Sequence, residues 1–345
     1  MHEEGERKMK VVKYLGILDS PYCLLIYLLK FTNQVEETYF FISDGIDEKI
    51  VKNLPQTFYV MGNSSTKSNL YFLNKMKELK SILMLNRILS HATKHYKNEG
   101  IIAFGQDHIP GGNYFVSHYP FILLEDGLAN YTELDDWTNL SLAYRFLYKL
   151  FGIRKTFGLE NNVKEIYLTG LAEIPSCIKN KVQLIDLQKL WNQKSSKDKE
   201  KILQIFNVDL KKIEQLKRYP YLLLTQPLSE DGLLSEEEKI ALYKEAVKDF
   251  NEELLVIKVH PREVTEYRNY FPNSFILGEP FPVELLKFNN ICFEKVITLF
   301  STAANDYLDS DSELIFLGTE CHGALVKQFG IIRYNKKMNK LEKLG

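Results

Sequence analysis

Short apolar runs closed by turn residues alternate with stretches of helical period along the whole chain. That alternation restricts it to α/β architectures with parallel sheets. VVKYLGIL (11–18), TYFFIS (38–43), TFYVMG (57–62), IIAFG (101–105), PFILLEDG (120–127), EIYLTGL (165–171) and KVQLIDL (181–187) read as strands. A second series follows: YPYLLLTQP (219–227), LLVIKVH (254–260), FILGEP (275–280), EKVITLFST (294–302) and ELIFLG (313–318). A continuous apolar run such as Leu254–Ile257 suits a strand covered by helices on both faces. Helical patterns at 21–31, 69–97, 139–151, 235–250, 283–289 and 303–308 supply that cover. Pro21 fits a first helical turn. Ser235, with Glu238 three residues on, reads as a capping box.

The 345 residues exceed what one core usually serves, so two domains are expected. The polar stretch Gln193–Lys201 marks the approximate boundary. The expected division is a first domain over 9–195, a second over 196–335 and a basic tail over 336–345. Hydrophobic content of 45% and charged content of 26% are ordinary for a globular protein. A net charge of −1 argues against a general nucleic-acid binder. Cys23, Cys177, Cys292 and Cys321 lie far apart, which fits a reducing compartment without a disulfide framework or a zinc ribbon. The charged start, MHEEGERKMK, does not lead into an apolar signal segment. The apolar stretch Tyr22–Leu29 is too short to span a bilayer. A cytoplasmic location is expected. The basic run from Arg333 onward reads either as a solvated, partly disordered end or as a peripheral contact with the inner face of the membrane.

Several strand ends carry groups able to do chemistry. His260-Pro261 closes the run LLVIKV, with Lys258 two residues earlier. Pro261 cannot donate a ladder hydrogen bond, so the imidazole falls at or just past a carboxyl strand end, where open α/β sheets bind ligands. The plainer reading is a histidine at a strand end with a proline as punctuation. Glu125-Asp126-Gly127 follows another apolar strand, and a glycine with positive φ would expose the Asp126 carboxylate. The alternative is a simple Asp-Gly turn. Ser229-Glu230-Asp231-Gly232 repeats the pattern just before the capping box, which gives that segment a structural task of its own. Ser301 and Thr302 sit at a strand-to-helix junction and suit either a phosphate or a helix cap. Glu284 opens a helix, where it could favour the dipole or hold a ribose diol. His91 and His95 lack the glutamate of a zinc-protease pattern. Asp309-Ser310-Asp311 reads as a helix end. Gly111-Gly112 marks a loop expected to be mobile.

Taken in order, LLEDG (123–127), TQPLSEDGLLSEEEKIALY (225–243), KVHPRE (258–263) and FSTAAN (300–305) resemble the bacterial sialyltransferases, above all glycosyltransferase family 52. The resemblance covers roughly Val11 to Leu317. It implies a GT-B fold, two Rossmann-like domains facing a central cleft. It also implies an inverting, metal-independent sialyltransferase without a cofactor. The donor would be CMP-sialic acid. The acceptor would be a terminal galactose of lipooligosaccharide or capsular polysaccharide, with an α2,3 linkage expected. A glycosyltransferase using another sugar nucleotide, or a silent glycan- or nucleotide-binding protein, are the rival readings. A homodimer is implied by the resemblance alone. The same matching gives His260 the leaving-phosphate role as a protonated imidazole. Lys258 and Pro261 flank the nucleotide, Glu284 holds the ribose, and Ser301 and Thr302 bind the phosphate. Asp126, exposed by Gly127, is the base on the acceptor hydroxyl, and Asp231 is its rival for that role.

Overall fold

The computed structural model describes residues 12–60, 83–96, 100–132, 155–307, 312–335 and 340–344. The helical pattern at 139–151, the acidic Asp309-Ser310-Asp311 and most of the pattern at 69–97 lie outside them. Within the latter, 83–92 is helical.

The chain divides into two compact units. The first comprises 1–126, 133–168 and 176–185, and the second 127–132, 169–175 and 186–345. In the first unit seven strands form one sheet: β1 (Tyr14–Leu18), β2 (Thr38–Ile42), β3 (Thr57–Tyr59), β4 (Ile102–Gly105), β5 (Phe121–Leu124), β6 (Val163–Leu168) and β7 (Val182–Leu184). Their order is β3-β2-β1-β4-β5-β6-β7, and every pairing is parallel. The order reverses between β1 and β4, the topological switch point at which such sheets take ligands. Gly105 makes that join possible. Its φ is +129°, and a Cβ there would lie 1.9 Å from the carbonyl oxygen of Ile17. The helix Pro21–Phe31 follows β1 with Pro21 in its first turn, as the sequence suggests, and Ser20 is its cap. Its residues Cys23 to Leu29 are all fully buried.

The second unit repeats the plan with β8 (Tyr221–Leu224), β9 (Leu255–Lys258), β10 (Phe275–Leu277), β11 (Lys295–Thr298) and β12 (Glu313–Phe316). The order is β10-β9-β8-β11-β12, again parallel throughout, with its switch point between β8 and β11. The helix Glu236–Val247 begins with the expected capping box. It sends Ile240, Tyr243 and Val247 into a core shared with Leu223, Leu255, Ile257 and Ile297.

Three sequence expectations sharpen or change. The polar run at 193–201, read as the approximate boundary, lies just inside the second unit, where Ser195 caps a helix over Ser196–Ile205 that buries Ile202, Leu203 and Ile205. The preceding helix Leu187–Asn192 also belongs to the second unit, where the Trp191 indole N–H donates to the Phe288 carbonyl at 3.0 Å. The basic tail is not loose over its described part. Ile331–Asn335 and Lys340–Leu344 form an antiparallel pair, β13 and β14, with Leu341 2% exposed. The Gly111-Gly112 segment is tightly packed rather than slack. A Cβ on Gly112 would meet the Asp107 carbonyl oxygen at 2.5 Å, and Gly112–His118 is helical.

Candidate active site

At the carboxyl ends of the first sheet, polar groups gather from successive strands. Asp19 and Ser20 follow β1, Gln106, Asp107 and His108 follow β4, and Glu125 and Asp126 follow β5. The Gln106 side-chain oxygen accepts the Asp19 backbone N–H at 2.6 Å, tying the two strands of the switch point together. Asp126 is held on two sides. Its Oδ1 accepts the Ser20 hydroxyl at 3.2 Å, and its Oδ2 lies 3.1 Å from His108 Nε2. Burial pushes the Asp126 pKa up, but the bond and charge of His108 prevail with help from Gln106 and Ser20, so it sits below its ordinary value. The carboxylate is therefore ionised and aimed by its neighbours. Gly127 has the positive φ (68°) expected of the turn that displays it. Glu125 is fully buried and accepts the Tyr22 hydroxyl at 2.7 Å, a structural role.

In the second unit His260 stands two residues past the end of β9. Its N–H donates to Glu263 Oε2 at 3.0 Å, and Thr225, after β8, also lies within reach at 3.2 Å. The Arg262 N–H donates to His260 Nδ1 at 3.2 Å. A neutral ring therefore carries its proton on Nε2. Burial first, then the Arg262 and Lys258 charges, lower the His260 pKa to about 3. The resemblance implies a protonated imidazole at the leaving phosphate. The free protein offers a neutral ring with an Nε2–H donor.

Beneath this loop lies a charged knot. The fully buried Lys239 ammonium reaches Glu230 at 3.1 Å, Glu236 at 3.2 Å and Glu263 at 3.3 Å. Glu263 also accepts the Tyr267 hydroxyl at 2.6 Å and bonds the Thr225 hydroxyl. A buried ammonium requires such partners. Through Glu263 the knot is tied to the His260 backbone N–H and so to the base of the HPRE segment.

The remaining candidates separate. Lys258 is 5% exposed, and its ammonium donates to the carbonyls of Val259 at 3.0 Å and Glu279 at 2.7 Å. Burial lowers its pKa to about 8, against the opposing charges of Glu279, Glu284 and Glu263, and its two carbonyl bonds brace the strand end. Glu284, 2% exposed, opens the helix Glu284–Phe288 and lies close enough to oppose that shift. Pro261 is partly buried between His260 and Arg262. Ser301 and Thr302 follow β11 at the second switch point, where the Ser301 N–H donates to Thr298 Oγ1 at 3.1 Å. The helix beyond them is 3-10 over Thr302–Tyr307 rather than α. Asp231 forms a two-pronged ion pair with Arg262, at 2.6 and 3.1 Å. It faces a guanidinium, whereas Asp126 faces an imidazole and a hydroxyl.

Ser20, Gln106, Asp107, His108 and Glu263 do not emerge from motif reading. A signal for His108 existed, because IIAFG-QDH places an acid and an imidazole just past an apolar strand, as KVHPRE does.

Two parallel-sheet units, each with polar groups at the carboxyl ends around its own switch point, have the GT-B glycosyltransferase architecture. The GT-B domain of a Photobacterium damselae sialyltransferase superposes with a TM-score of 0.53 at 11% identity, covering 91% of this chain and 95% of that one. A Photobacterium sp. JT-ISH-224 2,6-sialyltransferase, solved with CMP and lactose, gives a TM-score of 0.52 at 14% identity, covering 88% and 71%. The chain belongs to glycosyltransferase family 52, which it matches over residues 34–318, and it is a glycosyltransferase. A Haemophilus influenzae protein described as uncharacterized is 37% identical over 326 residues, 94% of this chain and all of that protein.

Proposed function

We propose that this glycosyltransferase is an inverting sialyltransferase. In this reading it moves sialic acid from CMP-sialic acid to a terminal galactose of lipooligosaccharide or capsular polysaccharide, in an α2,3 linkage. The observation that carries the reading is the ionised Asp126 carboxylate, bonded to His108 and Ser20 beside the switch point of the first sheet. Family membership supports it, and so does the fold shared with a sialyltransferase solved with CMP and lactose.

The chemistry follows from the charges. Asp126 takes the proton of the acceptor hydroxyl as its oxygen bonds the anomeric carbon. The bond from that carbon to the CMP phosphate breaks, and the electron pair leaves with the phosphate. The His260 Nε2–H donates to that phosphate, which carries the growing negative charge. Ser301 and Thr302 add hydroxyls at the second switch point, and Glu284 contributes to the nucleotide's ribose. The sugar passes through an oxocarbenium-like state, so one displacement inverts its configuration.

The test is transfer from CMP-sialic acid to a panel of lactose-type acceptors, with linkage analysis of the product. Sialylated lactose is the expected product. Turnover with a UDP-sugar and none with CMP-sialic acid would sink the donor assignment. CMP binding without turnover on any galactoside would sink the enzymatic one.

A further inference from the structure

The first unit holds a buried carboxylate that this chemistry does not use. Asp107 is 1% exposed, and each of its oxygens accepts one backbone N–H, Oδ1 from Phe157 and Oδ2 from Gly158, both at 2.8 Å. The two donors belong to a turn whose residues both have positive φ, 55° and 85°. That conformation is uncommon for a phenylalanine and persists only where the surroundings impose it. The Asp107 fork imposes it here, and two successive N–H groups make a natural cradle for an anion. The turn delivers the Phe157 ring, 7% exposed, onto His108 with centroids 4.5 Å apart and planes 21° from parallel. His108 Nε2 then meets Asp126 Oδ2 at 3.1 Å. The imidazole is held by a flat aromatic face on one side and a carboxylate at its edge.

We propose that Asp107 and Phe157 are positioning residues. Asp107 fixes the turn, the turn fixes the Phe157 ring, and the ring sets the angle at which His108 meets Asp126. The inference rests on the reading of Asp126 as the base. A rigid stack is what a base requires, because a misplacement of an ångström far from the reacting atoms can cost roughly a hundredfold in rate. Asp126 is faced by His108, Ser20 and Gln106, with the charges of Asp19 and Glu125 nearby and Asp107 behind His108 at 3.9 Å. Of these, His108 contributes most to keeping Asp126 ionised against its burial. Loosening His108 therefore raises the Asp126 pKa, and the acid limb of the rate profile moves to higher pH.

The experiment assays Phe157→Leu, Phe157→Tyr and Asp126→Asn in the full chain, with CMP-sialic acid and lactose, alongside thermal unfolding. Phe157→Leu is expected to lower kcat roughly ten- to hundredfold, leave both KM values nearly unchanged and shift the acid limb upward. Phe157→Tyr keeps the stacked ring and is expected to restore both rate and profile. A folded Phe157→Leu protein with wild-type kcat and acid limb overturns the proposal. So does equal impairment of the Leu and Tyr variants. If Phe157→Leu does not fold, Asp107→Asn, which loses one of the two N–H acceptors, is assayed with the same two outcomes. Asp126→Asn separates the two ideas: activity retained there refutes the base, while activity lost there with Phe157→Leu unaffected refutes the positioning alone.

Discussion

The two sheets use one topological plan to hold opposite kinds of group. Beside the first switch point the central group is a carboxylate, and its partners are side chains from two other strand ends: Ser20 after β1, and Gln106 and His108 after β4. Those partners stabilise charge, and Asp126 titrates below its ordinary value. In the second sheet the central group is an imidazole just past β9, whose Nδ1 accepts the Arg262 backbone N–H, over the knot formed by Lys239 and its glutamates. Burial and two cations suppress charge there, and His260 titrates at about 3. Each environment favours the form its proposed role needs, an ionised base in one unit and a neutral hydrogen-bond donor in the other. The lesson is that strand ends select the place, while the neighbouring loops select the protonation state.

The hardest test of this contrast is Asp126→Asn. It leaves the shape but removes the proton acceptor, so kcat should fall by roughly 10²–10⁴ with little change in melting temperature. A transfer assay at saturating substrates reads this directly, and a variant within a few-fold of wild type would end the contrast.

The second test attacks the knot beneath His260. Lys239→Met leaves the buried Glu263 and the partly exposed Glu230 and Glu236 around a thioether. Breaking a buried pair by removing one partner costs about 3–5 kcal/mol, so chemical denaturation should show a stability loss of that size. A loss below about 1 kcal/mol, the size expected of an exposed pair, would mean that the knot does not brace the loop.

The third concerns the imidazole. His260→Gln should lower kcat by about 10²–10³, as loss of one preorganised donor does. It should also flatten part of the pH dependence of stability. The folded pKa of about 3 lies below the usual imidazole value near 6.5, so the unfolded chain binds more protons between them. Stability from this group is complete above pH 6.5 and is lost as pH falls towards 3. Thermal midpoints measured across that window should converge for variant and wild type at the acid end. A His260 limb in the rate profile near pH 6.5 would instead show that the ring is not held neutral.

The order of elements was legible because each strand is an apolar run with its own stop signal, and the helix from Pro21 and the capping box at Ser235 carry local chemistry. The helix Ser196–Ile205 was masked by its composition. Its exposed face is lysine-rich, and only Ile202, Leu203 and Ile205 reveal the buried side. At the site, positions adjacent to strand ends could be read, but pairings could not. Ser20 meets Asp126 across 106 residues and Asp107 meets Phe157 across 50, and spacing carries no trace of either. Lys258 shows the same limit. Two residues before His260 it reads as a neighbour of the nucleotide, and spacing carries no trace of the Val259 and Glu279 carbonyls that its ammonium bonds.

The smallest expected effect decides between the two carboxylates. Asp231 is bound by the two nitrogens of the Arg262 fork and is partly exposed, at 35%. To act as the base it would have to leave that guanidinium, whereas Asp126 needs only to exchange contacts with a neutral hydroxyl and an imidazole. An exposed pair of this kind contributes roughly 0–1 kcal/mol, so Asp231→Asn should unfold within that margin of wild type. Its transfer rate should stay within about tenfold, the factor that 1.4 kcal/mol represents, because the Arg262 N–H that fixes the His260 tautomer comes from the backbone. Assayed beside Asp126→Asn, a collapse of activity in the Asp231 variant alone would transfer the base role to the second unit. A collapse in both would make the Arg262 pairing part of the chemistry rather than a brace for the loop.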